Sequence, residues 1–216
     1  MAAAIYPMGA TAMRSETRRP VVTKIRVNIA ALMQPFHACT ADFIRDVCQA
    51  RCCRSTTDPT GIAVVVTKDE AVRLRLRGAY IDDATGRIAP VNRRCPFQHG
   101  KTHLCILHGT DDKPHGCIIS PFTINDNDTL IVRNRYRLLP CFQADGAVPV
   151  YEAHAQSLIM LFGETNAADI AYTASQPARI NDSLNLYVDD WRVAALRLKN
   201  QQSKHLDQPI DEGVTI

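Results

Sequence analysis

The feature that most constrains this chain is a set of eight cysteines between Cys39 and Cys141, with none elsewhere in its 216 residues. The opening MAAAIYPMGATAM lacks a basic region ahead of a long apolar stretch, so we predict no secretion signal and a cytoplasmic protein. In a reducing compartment, thiols are more often metal ligands, catalytic groups or core residues than disulfides. Six of the eight cysteines stand beside turn or polar residues rather than in apolar runs, which favours metal binding.

The candidate ligands are thiolates, which suit zinc and iron–sulfur clusters because both take four tetrahedral donors. A helix is predicted over residues 40–54, with Thr40 as its N-cap. On it, Cys48 and Cys52 would face the same side as a chelating pair, while Cys53 would point elsewhere. Cys52 and Cys53 are therefore predicted to serve two metals or two parts of one cluster. The full set of predicted ligands is Cys48, Cys52, Cys53, Cys95, Cys105, Cys117, Cys141 and Cys39.

Four histidines, His99, His103, His108 and His115, fall among these cysteines. Neutral imidazole is a good zinc ligand, so any of them could complete a mixed site. His115, close to Cys117, is the strongest candidate, and second-shell hydrogen bonding or plain exposure is the alternative role. The residues alone leave open zinc against iron–sulfur, and one site against two.

An α+β fold is predicted, in which a small cysteine-cluster metal-binding domain with long irregular loops adjoins a helical C-terminal layer. VVTKIRVNI alternates like a half-buried strand, IAVVVT is typical of a buried strand, and TKDEAVRLRLRG is a helix that begins with a capping pattern and ends at Gly78. Residues 80–117 are rich in turn residues and poor in apolar ones. Metal or disulfides, rather than burial, are therefore predicted to hold them.

The C-terminal third is predicted to be helical, because YEAHAQSLIMLFG is amphipathic up to Gly163 and SLNLYVDDWRVAALRLKNQQ is typical of a longer helix. The predicted segments are a basic arm and short strand over 1–34, the cysteine-cluster domain over 35–149, a helical extension over 150–200 and a polar tail over 201–216.

Charge and hydropathy limit the classes of partner that the sequence predicts. The net charge of +3 is too small to argue for nucleic acid, although residues 14–26 form a basic arm. No apolar run approaches the roughly 18 to 20 residues that cross a bilayer, so no membrane segment is predicted. A protein partner for the C-terminal helices is one prediction, an adaptor role for the basic arm is a weaker one, and the oligomeric state stays open.

The order of these motifs resembles the YkgJ-type cysteine-cluster family of zinc- or iron-chelating domains, which is related to flagellin lysine N-methylase. The resemblance is carried by CQARCCR, VVVTKDEAVRL, Cys95–Pro96–Phe97, Cys105–Ile106–Leu107, Lys113–Pro114–His115–Gly116–Cys117, Ser120–Pro121–Phe122 and Cys141. It covers roughly residues 39–142. The chain departs from the family pattern in the first cluster, where Cys39, nine residues before Cys48, is the possible substitute for a closer cysteine.

The sequence has no phosphate-binding loop, HExxH or GxSxG motif, so its status as an enzyme is uncertain. Our first hypothesis is a metal-binding module whose metal organises the irregular loops and supplies a redox or interaction site. The alternative, implied by the resemblance, is an iron–sulfur enzyme of protein side-chain modification, similar to a methylase.

Overall fold

The computed structural model describes residues 21–54, 64–193 and 196, and these residues form an α+β fold. The strands are β1 (Val22–Asn28), β2 (Pro35–Phe36), β3 (Ile81–Asp82), β4 (Arg87–Ile88), β5 (Phe122–Ile124), β6 (Thr129–Val132), β7 (Val148–Pro149) and β8 (Ser183–Asp189). The α-helices are α1 (Ile29–Leu32), α2 (Ala41–Phe43), α3 (Lys68–Leu76), α4 (His115–Ile118), α5 (Val150–Ala153) and α6 (Ala155–Ala174). A π-helical turn spans Ile44–Cys48, and 3-10 turns span Arg51–Cys53, Asn134–Leu138 and Pro177–Arg179.

Strand β1 is an inner strand of the main four-stranded sheet, whose order is β5–β6–β1–β8. It runs parallel to β6 and antiparallel to β8, and β5 is antiparallel to β6. Thr23, Ile25 and Val27 are buried, whereas the residues between them are exposed. This period of two confirms the predicted half-buried strand, because successive side chains of a strand point to opposite faces. The predicted basic arm ahead of it lies largely outside the described residues.

The segment after Asn181 differs from its prediction. Ser183–Asp189 is strand β8, paired along its whole length with β1, from Val22 opposite Asp189 to Asn28 opposite Ser183. The helix prediction was wrong here because Leu184, Leu186 and Val188 alternate with polar residues, which is the strand period. Helix follows over residues 190–193. The C-terminal layer is therefore helical in α5 and α6 but contributes an edge strand to the sheet.

Helix α6 packs across the main sheet and forms the larger core with it, through Leu158, Leu161, Phe162 and Ile170. Gly163, at φ 77° and ψ 167°, interrupts the helix where the sequence predicts a stop. The helix then resumes to Ala174, as NAADIAYTAS suggests. Among the described residues, no helix combines the length and apolar character needed to cross a membrane.

A second, smaller core lies under the irregular segment. Helix α3 starts with the predicted capping box, in which the Thr67 hydroxyl accepts the Glu70 N–H and a Glu70 carboxylate oxygen accepts the Thr67 N–H. Leu74 of α3 packs with residues of the loop and the β3–β4 hairpin; the buried members are Val64, Val66, Ala71, Leu74, Ala79, Ile81, Ile88, Phe97 and Leu107. The prediction that burial could not help hold residues 80–117 was therefore wrong. In place of the predicted strand IAVVVT, the described part shows a single bridge, between Val65 and Arg87.

Buried Glu70 connects α3 to the segment that carries Cys117. Its carboxylate accepts the Thr67 N–H at 2.8 Å through Oε2 and the His115 N–H at 2.7 Å through Oε1. We expect Glu70→Ala to lower the free energy of unfolding by about 3 kcal/mol, since two buried N–H groups lose a charged acceptor. Thr67→Ala removes only the hydroxyl cap and should cost about 1 kcal/mol. Denaturant unfolding measures both variants, and equal losses would contradict the connecting role of Glu70.

His154 lies between the rings of Phe36 and Phe122, at centroid distances of 6.3 and 6.5 Å. Burial lowers its pKa from 6.5 to about 4. Below about pH 6.5 the unfolded imidazole therefore binds a proton that the folded one refuses, and stability falls as the pH drops towards 4. We expect a loss of up to about 3 kcal/mol over this window, measured by unfolding at each pH. His154→Gln should flatten this dependence, whereas His99→Gln, at an exposed position, should leave it unchanged.

Candidate functional site

The structure sorts the eight free cysteines by the core on which they lie. Cys141 belongs to the larger core, and Cys52 packs against it. Cys95, Cys105 and Cys117 pack against the smaller core. Cys39, Cys48 and Cys53 join these sets through the electrostatic contacts described next, which makes two groups of four that both contact Cys52. We refer to Cys39, Cys48, Cys52 and Cys141 as the first group, and to Cys53, Cys95, Cys105 and Cys117 as the second group.

Mutual repulsion of thiolates links the first group. Cys39 reaches the surface, yet crowding by protein atoms and then the negative charges of Cys52, Cys141 and Cys48 raise the pKa of its thiol to about 12. Burial, followed by the charges of Cys48 and Cys52, raises the pKa of Cys141 to about 12. Cys39 and Cys141 are therefore both influenced by the charges of Cys48 and Cys52, which is the basis for treating these four cysteines as one group.

The second group shows the same behaviour. Burial raises the pKa of Cys117, and the charges of Cys95 and Cys105 raise it further. Burial and the charges of Cys105 and Cys52 raise the pKa of Cys95 to about 11. Burial and the charges of Cys52, Cys117 and Cys95 raise the pKa of Cys53. Ionisation of Cys53, Cys95 and Cys117 is therefore unfavourable without a counter-charge, and Cys52 contributes to this at all three.

Cys52 and Cys53 join the two groups. Their Sγ atoms are 3.9 Å apart and form a hydrogen bond, which lowers the pKa of Cys52 and raises that of Cys53. Two sulfurs that are each 2.3 Å from one tetrahedral zinc ion lie about 3.8 Å apart, so the distance between these two sulfurs does not decide whether they bind one metal or two. Their surroundings differ, however, since Cys52 packs on the larger core and the Cys53 carbonyl accepts the Cys95 N–H at 3.0 Å.

The chain between Cys48 and Cys52 is not the continuous helix that was predicted. Thr40 caps α2 as expected, but the helix continues only as the π-helical turn to Cys48. Gln49 and Ala50 then adopt left-handed φ values of 50° and 48°, and a 3-10 turn carries Cys52 and Cys53. The prediction that Cys48 and Cys52 face one helix side was wrong for this reason. Both cysteines still belong to one group, because the turn redirects the chain.

Left-handed backbone is concentrated beside the cysteines. Among the described residues, seven that are not glycine have positive φ, and six of them lie within three residues of a cysteine: Gln49, Ala50, Asn92, Arg93, His103 and Gln143. Side chains other than glycine rarely adopt this conformation, and such strain gathers at functional sites. None of these residues is glycine, so the sequence does not indicate that they adopt left-handed backbone.

Backbone hydrogen bonds hold the distant cysteines in place. The His37 N–H donates to the Cys141 carbonyl at 2.8 Å, which brings Cys141 beside the segment that carries Cys39. Strand β2, which precedes Cys39, also pairs with strand β7, which follows Cys141, so the two segments are held together on both sides of this contact. In the second group, Gln98 and Cys105 form an antiparallel bridge. These contacts join residues far apart in the sequence, so spacing along the chain could not predict them.

Three of the four candidate histidines contact groups other than the cysteines. The His115 Nε2 lies 2.8 Å from the Arg192 carbonyl oxygen, and its ring is near Trp191. His99 accepts from Thr102, and His108 lies 3.0 Å from the Lys113 ammonium. The Nδ1 atom of His103 is buried without a hydrogen-bond partner among the described residues.

Two arginines that the sequence analysis did not single out approach the sulfurs. The Arg135 guanidinium donates a short hydrogen bond to the Cys52 carbonyl, and its charge helps to lower the pKa of Cys52. Arg133 is 6% exposed, and burial lowers its pKa while the nearby Tyr136 and Cys117 oppose that shift. The motif RNRYR was the available signal, because it places three cations within five residues.

Within the described residues, no three Cys, His, Asp or Glu side chains are already arranged around a single ion. The two groups are therefore clusters of neighbouring thiols rather than finished coordination spheres. In comparisons with protein-family models, curated proteins and solved structures, nothing matched this chain. The resemblance to the YkgJ-type family remains a prediction.

The left-handed turn gives a direct test of the site's backbone. Ala50 and Ala71 are each 8% exposed, but Ala50 has φ 48° whereas Ala71 lies within helix α3. We expect Ala50→Gly to raise the free energy of unfolding by up to about 1 kcal/mol, since glycine removes the steric penalty of the left-handed conformation. Ala71→Gly, the matched control, should lower it by about 1 kcal/mol. Denaturant unfolding compares the two variants, and equal destabilisation of both would contradict the left-handed backbone conformation at Ala50.

Proposed function

We propose that this protein binds metal through two four-thiolate sites, one in each cysteine group, which meet at Cys52 and Cys53. The observation that carries the proposal is the contact between Cys52 and Cys53, whose Sγ atoms are 3.9 Å apart, together with the electrostatic contacts that link this pair to cysteines of both groups. Four thiolates are the complete donor set of a closed structural zinc site and of a common iron–sulfur cluster.

The chemistry of the groups fits a metal better than it fits bare thiols. Burial and mutual repulsion make thiolates unfavourable at Cys39, Cys95 and Cys141, whose pKa values are raised. A divalent ion or a positively charged cluster supplies the missing counter-charge when the thiols lose their protons. Isolated buried cysteines can be plain apolar residues, but that role does not explain why such thiols gather in fours.

Binding requires local side-chain motion, because no three donors surround one point in the described residues. Rotation of a cysteine about χ1 moves its sulfur between staggered positions without changing the backbone. The left-handed turns beside the cysteines support this view, since they fix the Cα positions from which the sulfurs approach. The chain thus holds the thiols close together, and the metal would draw them into coordination.

The metal's role would be chiefly to organise the irregular segment over residues 80–117. The small core under this segment has few members, and a metal held by Cys53, Cys95, Cys105 and Cys117 would connect it to the 3-10 turn at Arg51–Cys53. A cytoplasmic location suits eight closely spaced free thiols. The alternative, an iron–sulfur enzyme that modifies protein side chains, rests on the resemblance alone.

The proposal is tested by metal analysis and an absorption spectrum of the full chain purified without air. We expect two equivalents of zinc in a colourless protein, or iron and sulfide with a broad band near roughly 400 nm. A folded protein without metal would overturn the proposal. Colour and iron would also make the enzyme alternative the next one to test.

Pairs of substitutions test the division into groups. We expect Cys48→Ser with Cys141→Ser, both in the first group, to abolish one site and leave the other filled. Cys141→Ser with Cys117→Ser removes the same number of thiols but takes one from each group, so both sites should be lost. The metal content of each folded variant is the measurement. Equal metal content in the two double variants would contradict the two-group arrangement.

A further inference from the structure

One face of the main sheet is exposed along strands β1 and β8. Every second residue of β1 is exposed, and the exposed residues of β8 alternate with residues that pack on the larger core. The register of the two strands pairs exposed residues with exposed residues, so their side chains share one face, which we call the open face. Its polar and aromatic members are Lys24, Arg26, Asn28, Ser183, Asn185 and Tyr187.

Two cations lie on the open face without a carboxylate partner. In the part of the chain that the structure describes, neither Lys24 nor Arg26 forms an ion pair, although Asp128 and Asp189 lie on the flanking segments. The Arg26 guanidinium donates to the Ser183 hydroxyl at 3.3 Å. Because Lys24 and Arg26 are two residues apart on one strand, their Cα atoms are about 7 Å apart, which is close to the length of one nucleotide of an extended single strand.

Tyr187 places an aromatic ring beside these cations. It lies directly opposite Lys24 in the register of β1 and β8, and 64% of it is exposed. No aromatic ring or cation of the described residues stacks on this ring. Asn185, opposite Arg26, offers both a donor and an acceptor next to the ring. The open face therefore combines positive charge, an unoccupied ring and an amide.

We propose that the open face binds single-stranded nucleic acid, with a base stacked on Tyr187 and with phosphates contacted by Lys24 and Arg26. Proteins that bind single strands without sequence preference combine these two elements, cations along the backbone and aromatic rings under the bases. An acidic protein segment would use the cations but would leave the ring without a stacking partner. A sheet face is also wide enough to hold several unstacked nucleotides, as other sheet-based RNA-binding domains do.

The basic arm supports this choice of partner. Arg14, Arg18 and Arg19 precede β1 in the sequence, with Glu16 as the one carboxylate among them, and the chain then continues into Lys24 and Arg26. The net charge of +3 hides this local excess, because nucleic acid responds to the distribution of charge as well as to its sum.

The ring is tested by the binding of a labelled oligothymidylate, about 12 nucleotides long, to the full chain, measured by fluorescence anisotropy. We expect Tyr187→Ala to weaken binding by about 10-fold, since one stacked base is lost, and Tyr187→Phe to keep most of the affinity. Tyr172→Ala is the matched control, because Tyr172 is 66% exposed but lies on helix α6. This control should bind like the wild type.

The cations are tested by the dependence of the affinity on salt. Each neutralised phosphate of a single strand contributes about 0.7 to the slope of log affinity against log salt concentration. We expect Lys24→Ala with Arg26→Ala to weaken binding and to reduce this slope by about 1.4. Lys68→Ala with Arg73→Ala removes the same charge from helix α3, so its slope should match that of the wild type.

Two outcomes would overturn the inference: a wild-type protein without affinity for the oligonucleotide at low salt, or equal binding by Tyr187→Ala and Tyr172→Ala. Displacement of the oligonucleotide by polyglutamate at equal charge concentration would assign the open face to an acidic protein instead. If Tyr187→Ala does not fold, Tyr187→Thr replaces it, because threonine favours strands. The metal content of all these variants should equal that of the wild type, so this inference and the proposed function can fail independently.

Discussion

The adjacency of Cys52 and Cys53 is the constraint on which the rest of the site depends. Consecutive side chains on a 3-10 turn cannot point in one direction, so Cys52 packs against the larger core while Cys53 approaches Cys95 and Cys117. The two cysteine groups can neither merge nor move apart, since one peptide unit separates them. A change at either sulfur therefore affects the other through the hydrogen bond between the two thiols or, in the proposed metal-bound protein, through adjacent metals.

Charge balance is the second constraint, and it links the sheet to the loops. Strand β6 leads directly into Arg133, and the 3-10 turn over Asn134–Leu138 carries Arg135 to the Cys52 carbonyl. The parallel pairing of β6 with β1 fixes where this turn begins. The central sheet therefore determines the positions of the cations, and the irregular loops determine the positions of the thiols.

Local patterns predicted the parts of the fold that local physics controls. The capping box at Thr67, the alternation of β1 and the break at Gly163 depend on residues within a few positions of one another. Two of the wrong predictions arose where a sequence pattern is compatible with two structures. Residues 40–48 do begin as a helix, but Gln49 and Ala50 then adopt left-handed backbone, and because neither is glycine the sequence does not indicate this turn. Leu184, Leu186 and Val188 alternate inside a segment of good helix formers, and pairing with β1 decides in favour of the strand.

The membership of the two groups could not be predicted, because it depends on contacts across long stretches of chain. Spacing along the chain suggests that Cys48, Cys52 and Cys53 act together. It gives no reason to place Cys53 in the second group while Cys48 and Cys52 join Cys39 and Cys141 in the first. That division follows from the His37 contact with Cys141 and from the Cys95 contact with Cys53. The entropy cost of closing a loop grows only slowly with its length, so a few such contacts suffice once the cores form. In the metal-bound state that we propose, metal would then stabilise two cysteine groups whose backbone positions are already fixed by these contacts.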